Sequence, residues 1–582
     1  MLHSSIVSRR TPCSVIFSIL FFSFTIPLSA QLNLDWAFSV GTPDLQGYGQ
    51  SDVFHVVDSS GNIYITARYP DVIDFDPSIV NQSIFSNGGQ QPFIAKYDQS
   101  GNYLWAKNIP ETPGIIISCM AVDNNMDIVV SGMLTQPADF DPSGSVYTLV
   151  PTGVNNTAFL AKYNSMGDLV WAKTYSATSF HQPGNLITDN VNNIYSVGYF
   201  NDSINFDTGA GSVWAEVAYG TYISKYDQNG AHIWGGVIDS MYTGSPNKIF
   251  LDTDDSSLYV STKAFQSIDA DISPSGQYTL ASSGSYDHVV MKYGLNAGEF
   301  KWAFRVGGTG LEEGGYVAVD DQNIYLAAYF YGTLLNINLT DSSDYMGSIN
   351  GMSNIFLASY DKEDLTFNWG RRVVASEGNS TVGGIGLSDN GIVVAGRYGG
   401  ITDFDPSGGT YELVPSSWVS TFVASYTKQD GSLGWVSDSD DSHDFNSFTY
   451  AKSAKRGVFC GVFIDTIDVD FEASVSNLIS SGNKNMYLST HSNLATSIKT
   501  TDNTKLNFNV YPNPTTDMLY IRTKSSETLH YAIFDGLGRM IKMSCFVGPG
   551  SIRTSELVPG VYYLRLRNET RIETLPFIKV DP

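Results

Sequence analysis

Basic side chains are scarce in this sequence. Lysine and arginine number 33 against 58 aspartates and glutamates in 582 residues, a formal net charge of −25. The acidic excess lies in residues 31–504, with 21 basic and 51 acidic side chains (21 − 51 = −30), whereas residues 505–582 hold 10 and 7 (10 − 7 = +3). Because phosphate binding depends on clustered lysine and arginine, this balance argues against a nucleic acid or an anionic membrane surface as partner. The charge difference also indicates two domains.

Cysteine and recognisable catalytic motifs are scarce as well. Of four cysteines, Cys13 lies in the N-terminal segment, and the spacing of Cys119, Cys460 and Cys545 fits neither a disulfide framework nor a metal knuckle. We expect these three to be buried small apolar side chains. The eight histidines are scattered, and there is no nucleophile elbow, dinucleotide fingerprint or P-loop. The sequence therefore predicts no cofactor and no dedicated catalytic constellation.

Long apolar runs are absent except near the start. Arg9 and Arg10 precede VIFSILFFSFTIPL, and Leu28-Ser29-Ala30 resembles a cleavage site. This pattern predicts a secretory signal peptide over residues 1–30. No later run reaches the roughly 20 apolar residues of a spanning helix, so we expect no transmembrane segment after cleavage.

What the sequence has in quantity is a repeat. The motif IDFDPS (73–78) returns at intervals of 64 to 67 residues. The first Asp or Asn of its seven copies is Asp74, Asp139, Asn205, Asp269, Asn336, Asp403 and Asp468. Two further patterns keep the same period, represented by HVVDSSGNIYITA (55–67) and FIAKYDQSGNYLWAK (93–107). Seven copies predict an architecture in which neighbouring units bury one another's faces.

Each unit is predicted to have four strands joined by turns rich in Asp, Asn and Gly. The fourth strand carries a tryptophan: Trp36, Trp105, Trp171, Trp234, Trp302, Trp369 and Trp435. This series starts before the first unit and stops before the end of the seventh, so LDWAFSV (34–40) is predicted to supply the missing last strand. Such closure removes two exposed edges. Residues 31–495 are thus predicted to form an all-β, seven-bladed β-propeller.

The repeat also resembles a known family. The units D-x-x-x-N-I-Y-x-x-G and KYDxxGxLxW, as in residues 58–67 and 96–105, resemble the β-propeller repeats of large secreted bacterial proteins, sometimes grouped as SBBP-type repeats. The resemblance implies the propeller fold. It leaves the activity open.

A polar linker (496–507) separates the repeats from a last domain, residues 508–582. Its segments NVYPNPTTDMLYIR, YAIFDGLGRMIK, LVPGVYYLRLRNE and LPFIKV resemble the C-terminal sorting domain (type A) of the type IX secretion system of Bacteroidota. The resemblance implies a small antiparallel β-sandwich, recognition by the type IX machinery, and an extracellular or outer-membrane surface location. It assigns the sorting signal to Tyr511, Pro512, Asn513, Pro514, Gly538, Arg539, Gly560, Tyr562 and Lys579.

Three interpretations of the repeated aspartates are open. Carboxylates and hydroxyls could bind a structural Ca²⁺, which takes 6–8 oxygen ligands. Two acids could act as a catalytic pair, although a sevenfold repeated site suits catalysis poorly. The favoured interpretation is a turn, in which Ile73 and Phe75 face the core and the acids face water. The candidate metal ligands are Asp74, Asp76, Asp139, Asp141, Asp403 and Asp405.

Trp214 and Trp418 fall outside the regular series, in connections between second and third strands, and are predicted to bind ligand. The leading hypothesis is a non-catalytic secreted or surface propeller that binds an extracellular glycan or protein, or serves as a surface component. The alternative is a hydrolase or lyase acting on polysaccharide in the central funnel of the propeller.

Overall fold

The computed structural model is built from β-strands and turns. It describes residues 32–42, 53–69, 72–78, 83–85, 91–109, 115–152, 156–177, 181–207, 209, 211–240, 248–332, 335–339, 345–348, 351–376, 378–389, 391–415, 418–439, 444–452, 454–471, 476–480, 484–493, 508–523, 528–534, 540–547, 550–567 and 572–581. These residues contain no helix, and hence none that is long and apolar enough to cross a membrane. The predicted signal peptide and linker lie outside them.

Following the repeat, we describe the strands before residue 494 as seven groups, numbered in chain order. Four of these groups are separate four-stranded antiparallel sheets, and groups 3 to 5 belong to one 17-stranded sheet. A first strand, β1 (Leu32–Thr42), precedes group 1. Group 1 is β2 (Phe54–Val57), β3 (Ile63–Tyr69), β6 (Gln91–Tyr97) and β7 (Tyr103–Asn108), and β4 (Val72–Asp74) and β5 (Ser83–Phe85) form a hairpin between β3 and β6. Group 2 is β8 (Ile116–Val122), β9 (Ile128–Leu134), β12 (Thr157–Tyr163) and β13 (Leu169–Thr174), with hairpin β10 (Ala138–Asp139) and β11 (Thr148–Leu149).

In groups 3 and 4 the second and third strands are longer and form the equivalent hairpin themselves. After the short β14 (Ser176–Ala177), group 3 is β15 (His181–Thr188), β16 (Ile194–Asn205), β17 (Trp214–Tyr226) and β18 (His232–Ser240). Group 4 is β19 (Lys248–Asp252), β20 (Ser257–Asp269), β21 (Thr279–Gly294) and β22 (Phe300–Gly308).

Groups 5 to 7 return to separate hairpins. Group 5 is β23 (Leu311–Val319), β24 (Asn323–Tyr331), β27 (Asn354–Asp361) and β28 (Phe367–Ala375), with hairpin β25 (Leu335–Asn336) and β26 (Tyr345–Met346). Group 6 is β29 (Thr381–Leu387), β30 (Gly391–Tyr398), β33 (Ser420–Thr427) and β34 (Leu433–Ser439), with hairpin β31 (Thr402–Asp403) and β32 (Glu412–Leu413). Group 7 is β35 (Asp444–Ala451), β36 (Arg456–Phe463) and β39 (Lys484–Asn493), with hairpin β37 (Thr466–Asp468) and β38 (Asn477–Ile479).

The fourth strand of group 7 is β1, from the other end of the repeat region. It pairs antiparallel with β39 from Leu32 opposite Asn493 to Thr42 opposite Lys484. The first strands of successive groups contact one another in chain order, and β2 also contacts β35. The prediction that LDWAFSV completes the last unit is confirmed by this pairing.

Burial within each group follows its place in the packing. The second and third strands are buried on both faces, as in IYITARY of β3 and QPFIAKY of β6, because neighbouring groups cover both sides. The fourth strand β7 is partly exposed. Tyrosines dominate the largest fully buried side chains, among them Tyr64, Tyr97, Tyr163 and Tyr195.

The tail forms two further antiparallel sheets. One is β40 (Phe508–Tyr511), β41 (Met518–Thr523) and β44 (Gly550–Arg553); the other is β43 (Met540–Val547), β42 (Thr528–Phe534), β45 (Gly560–Arg567) and β46 (Ile572–Lys579). Side chains from both sheets, including Leu519, Ile552, Ile533 and Leu564, share one hydrophobic cluster.

Candidate functional site

The repeated acidic motif forms what we call the outer hairpins, which contain the motif's first Asp or Asn in each group. Where the pairing is described, an outer hairpin forms backbone pairs with the end of the fourth strand of the preceding group. In group 6, Asp403 lies opposite Val374 and Thr402 opposite Ala375. Ile73 and Phe75 of group 1 are fully buried, as the turn interpretation predicts. The hairpins therefore fasten neighbouring groups and cover strand edges.

The aspartates of the outer hairpins accept hydrogen bonds from nearby backbone N–H groups. Asp139 Oδ1 accepts from Asp141 N at 3.1 Å and from Tyr147 N at 2.8 Å. Asp141 Oδ1 accepts from Ser143 N at 2.9 Å. Asn205 Oδ1 accepts in the same way from the backbone N of Asp207 and Val213. An amide oxygen can replace the carboxylate oxygen here, which explains why Asn substitutes in this position.

In every group the side-chain oxygen of the motif's first Asp or Asn accepts a hydrogen bond from the backbone N–H of the residue two positions later. It is accepted by Asp74, Asp139, Asn205, Asp269, Asn336, Asp403 and Asp468. Among the described residues, no three His, Cys, Asp or Glu side chains are grouped so that they could hold a metal ion. Calcium binding by Asp74, Asp76, Asp139, Asp141, Asp403 and Asp405 remains a prediction, as does their role as a catalytic pair.

The two irregular tryptophans are exposed. Trp418, before the third strand of group 6, is 94% exposed, and Trp214, at the start of β17, is 48% exposed. In the same connection between the second and third strands, Ile401 and Val414 are also exposed and flank the paired residues Thr402 and Leu413. Exposed apolar side chains that form a contiguous patch are typical of a binding surface.

The regular tryptophans make a different contact. Trp105 Nε1 donates to the Ser165 carbonyl at 3.2 Å, in the turn between the third and fourth strands of the next group. The equivalent bonds run from Trp36 to Gln99, Trp171 to Gln228, Trp234 to Leu295 and Trp369 to Lys428. These indoles stabilise the interfaces between groups, which separates them from Trp214 and Trp418.

A buried acidic cluster lies between groups 4 and 5. Asp287 on β21 and Glu312 on β23 are 0% and 1% exposed. Arg305 Nη1 lies 2.6 Å from Asp287 Oδ2. Burial, and then the neighbouring Asp287 charge, raise the pKa of Glu312 to about 8. At neutral pH Glu312 is therefore largely protonated beside Asp287, which is paired with Arg305.

The tight turn GGTG (307–310) covers this cluster. The backbone N–H of Gly308 donates to Glu312 Oε2 at 3.3 Å. A Cβ added at Gly307 would lie 2.1 Å from Asp287 Oδ1, so only glycine permits this approach. The sequence did not reveal the acids beneath these glycines, because Asp287, Arg305 and Glu312 belong to different strands with no motif spacing.

Two cysteines are buried and free, as predicted. They are Cys119 and Cys460; the side chain of Cys545 is outside the described set. His55 Nδ1 lies 3.2 Å from Cys460 Sγ and joins groups 1 and 7. Burial lowers the pKa of His55 to about 4 and raises the pKa of the Cys460 thiol. Both groups are therefore neutral at pH 7, whereas an activated nucleophile requires a thiolate.

Four residues of the predicted sorting signal occur at adjoining positions of the tail. Asn513 Oδ1 accepts from Ile578 N at 2.9 Å, next to Lys579. Tyr562 is buried against Phe577, with ring centroids 5.6 Å apart, and donates to the Val558 carbonyl at 2.9 Å. Gly560 pairs with Lys579 across β45 and β46. Pro512 and Pro514 are exposed nearby, whereas Gly538, Arg539 and the Tyr511 side chain lie outside the described set.

A family model supports the resemblance of the tail. The model for the secretion system C-terminal sorting domain matches residues 509–579. This match indicates a secreted or cell-surface protein handled by the type IX secretion machinery. It covers only the tail.

Other comparisons concern the repeats. An uncharacterised WD repeat-containing protein of Acanthamoeba polyphaga mimivirus is 24% identical over 235 residues, which are 36% of this chain and 17% of the relative. The chain thus spans less than a fifth of that relative's length.

Two solved structures are similar to this chain at low TM-scores. Dihydro-heme d1 dehydrogenase NirN shares 8% identity, with 88% of this chain and 77% of that chain covered and a TM-score of 0.32. Pyrococcus horikoshii acylaminoacyl peptidase shares 8% identity, with 85% and 60% covered and a TM-score of 0.33. Neither similarity assigns an activity to this chain.

Proposed function

We propose that this chain is a secreted or surface-displayed seven-bladed β-propeller that binds an extracellular glycan through exposed aromatic side chains, without catalysing a reaction. The observation that carries the proposal is the contrast between the two kinds of tryptophan. Five of the seven regular indoles, those of Trp36, Trp105, Trp171, Trp234 and Trp369, donate a hydrogen bond to the next group, whereas Trp418 is 94% exposed. An exposed indole offers a flat apolar face on which the C–H groups of a sugar ring can pack.

The fold part of the proposal is a closed ring with the seven groups as blades. It is supported by the pairing of β1 with β39 and by the contact of β2 with both β8 and β35. The WD repeat-containing relative supports it as well, because WD repeats build propellers. In the same proposal residues 1–30 are a signal peptide, and residues 508–582 form a small β-sandwich that the type IX machinery of Bacteroidota recognises.

A polysaccharide-acting enzyme is the competing function. Its strongest support is the Asp287–Glu312 pair, because such chemistry uses two carboxyl groups, of which the general acid has a raised pKa, as Glu312 does. Both side chains are buried beneath the backbone of Gly307 and Gly308, where a sugar does not reach them. This burial favours binding over catalysis.

One experiment separates the two functions. The full mature chain is screened on a glycan array, and every bound polysaccharide is then incubated with the protein and assayed for released reducing ends. We expect binding without release. Release of reducing ends, or binding to proteins with no glycan bound, would contradict the proposal.

Export is tested separately in a bacterium that carries the type IX machinery. A chain that lacks residues 508–582 should accumulate in the periplasm, while the full chain reaches the surface or the medium. Surface delivery of the truncated chain would show that the tail is not the sorting signal.

A further inference from the structure

The junction of groups 4 and 5 differs from the other junctions described. Only Thr309 and Gly310 separate β22 from β23. Strand β21 holds this turn, because the backbone N–H of Ser285 donates to the Gly310 carbonyl at 3.2 Å. Tyr286 of β21 also pairs parallel with Leu311, a bridge that skips β22. Group 5 is therefore tied directly to the third strand of group 4.

Beneath this turn, two buried carboxyl groups lie beside one cation. Burial and the neighbouring Asp287 raise the pKa of Glu312, and Arg305 Nη1 lies 2.6 Å from Asp287 Oδ2. The Gly308 N–H donates to Glu312 Oε2. If Glu312 lost its proton, two buried carboxylates would face a single guanidinium, and the penalty for burying an uncompensated charge is large.

The other charged and titratable groups around Glu312 are already paired or neutral. Lys263 of β20 lies 2.5 Å from Glu313 Oε1, and Tyr329 of β24 donates to Glu313 Oε2 at 3.2 Å. His288, next to Asp287 on β21, bonds to Ser261 Oγ at 3.0 Å, and burial lowers its pKa to about 4. No second cation among these described neighbours is available to balance an ionised Glu312.

We propose that Asp287, Glu312 and Arg305 form a proton-dependent latch, which holds the Gly307–Gly310 turn closed against group 4 and loosens as the surrounding pH rises. In the closed turn Glu312 keeps its proton because it is buried and because Asp287 lies beside it. When the turn opens, Glu312 is solvated and ionises at its ordinary pKa. Each rise in pH therefore favours the open turn. The pH outside the protein thus sets how often the turn at the junction of groups 4 and 5 opens.

The latch makes a quantitative prediction. The pKa of Glu312 is about 8 when the turn is closed and about 4.5 when it is open. Between these values the opening equilibrium rises up to about tenfold per pH unit, because opening releases one proton, and it levels off above pH 8.

Amide hydrogen exchange of the full chain, read by mass spectrometry on peptides that cover residues 303–316, tests this inference. After correction for the intrinsic pH dependence of exchange, the wild-type protection factor should fall about tenfold per unit from pH 6 to 8. Glu312→Gln should abolish this slope, since the amide stays neutral. Glu313→Gln, a neighbour that is already paired with Lys263, should keep it.

A second variant covers the case in which Glu312→Gln does not fold. Asp287→Asn removes the neighbouring group that, after burial, most opposes ionisation of Glu312, and it leaves Arg305 to pair with Glu312, so the slope should become shallower. Equal slopes in the wild type and in either folded variant, or a flat wild-type profile, would overturn the latch.

Discussion

The indole of Trp36 donates a hydrogen bond of 3.1 Å from Nε1 to the carbonyl of Gln99. The ring lies against Gly101, which has a φ of +81°, and a Cβ at that glycine would come within 2.7 Å of the ring. The same contact joins Trp105 to the turn that contains Ser165 and Gly167. Trp36 therefore joins group 7 to group 1 in the way that Trp105 joins group 1 to group 2.

Removal of the Trp36 ring tests this closure. Trp36→Ala should lower the free energy of unfolding by about 2–3 kcal/mol, somewhat less than a fully buried tryptophan because Trp36 is half-buried. Deletion of residues 31–40 should destabilise the repeats more strongly, because β39 loses its partner strand. Urea unfolding measures both effects.

Trp418→Ala is the matched control, since this indole is exposed and should change stability by no more than about 0.5 kcal/mol. If Trp36→Ala and Trp418→Ala were equally mild, Trp36 would not close the ring.

The outer hairpins give a prediction that separates a turn from a calcium site. Asp139→Asn keeps an oxygen acceptor for the N–H groups of Asp141 and Tyr147, so stability should hardly change. Asp139→Ala leaves those donors without the acceptor and should cost about 1–2 kcal/mol.

Calcium itself is tested by chelation. The melting temperature of the wild type in EDTA should equal that in calcium, because the Oδ1 atoms are occupied by backbone donors. A lower melting temperature in EDTA, and in Asp139→Asn with calcium present, would instead establish a structural Ca²⁺.

Buried histidines predict a loss of stability in acid. Burial lowers the pKa of His181 to about 3, so it stays neutral in the folded chain while the unfolded chain takes up a proton below about pH 6.5. The free energy of unfolding should therefore fall by about 1.4 kcal/mol per pH unit from this residue as pH drops from 6.5. Urea unfolding at pH 4.5, 5.5, 6.5 and 7.5 measures the slope.

His181→Phe should reduce this slope by about 1.4 kcal/mol per pH unit, the contribution of one proton. The variant should still fold, because the phenyl ring fits between Tyr175 and Tyr222, whose rings contact His181. Tyr175→Phe is the matched control in the same cluster and removes no group that titrates in this range. An unchanged acid slope in His181→Phe would mean that this histidine is solvated in the folded chain.

Much of the architecture could be predicted from the sequence because a repeat shows each structural requirement several times. The aspartate of DxxxNIY accepts N–H bonds in the turn, and its tyrosine donates back, as Tyr64 does to Asp58 at 3.2 Å. The tryptophan series likewise indicated the pairing of β1 with β39. Such features depend on residues that are close in the sequence or recur in each repeat, and the sequence therefore reveals them.

The Asp287, Arg305 and Glu312 cluster could not be predicted in that way. Its three members lie on three strands of two groups, and it occurs at one junction, so no period reveals it. The pairing of the outer hairpins with the preceding group could not be predicted either, because it depends on tertiary contacts. An aspartate that accepts hydrogen bonds from backbone N–H groups and an aspartate that binds a ligand can occur in the same sequence pattern, so the sequence does not distinguish them.

The most direct measurement of the central claim is the affinity of the mature chain for a polysaccharide identified on the array, measured by isothermal titration calorimetry. Trp418→Ala should weaken binding at least about tenfold, or about 1.4 kcal/mol. Ile464→Ala, an exposed apolar residue of group 7, should bind as the wild type does. Unchanged affinity in both Trp418→Ala and Trp214→Ala, or consumption of the polysaccharide, would contradict the claim that exposed aromatic side chains bind a glycan without catalysis.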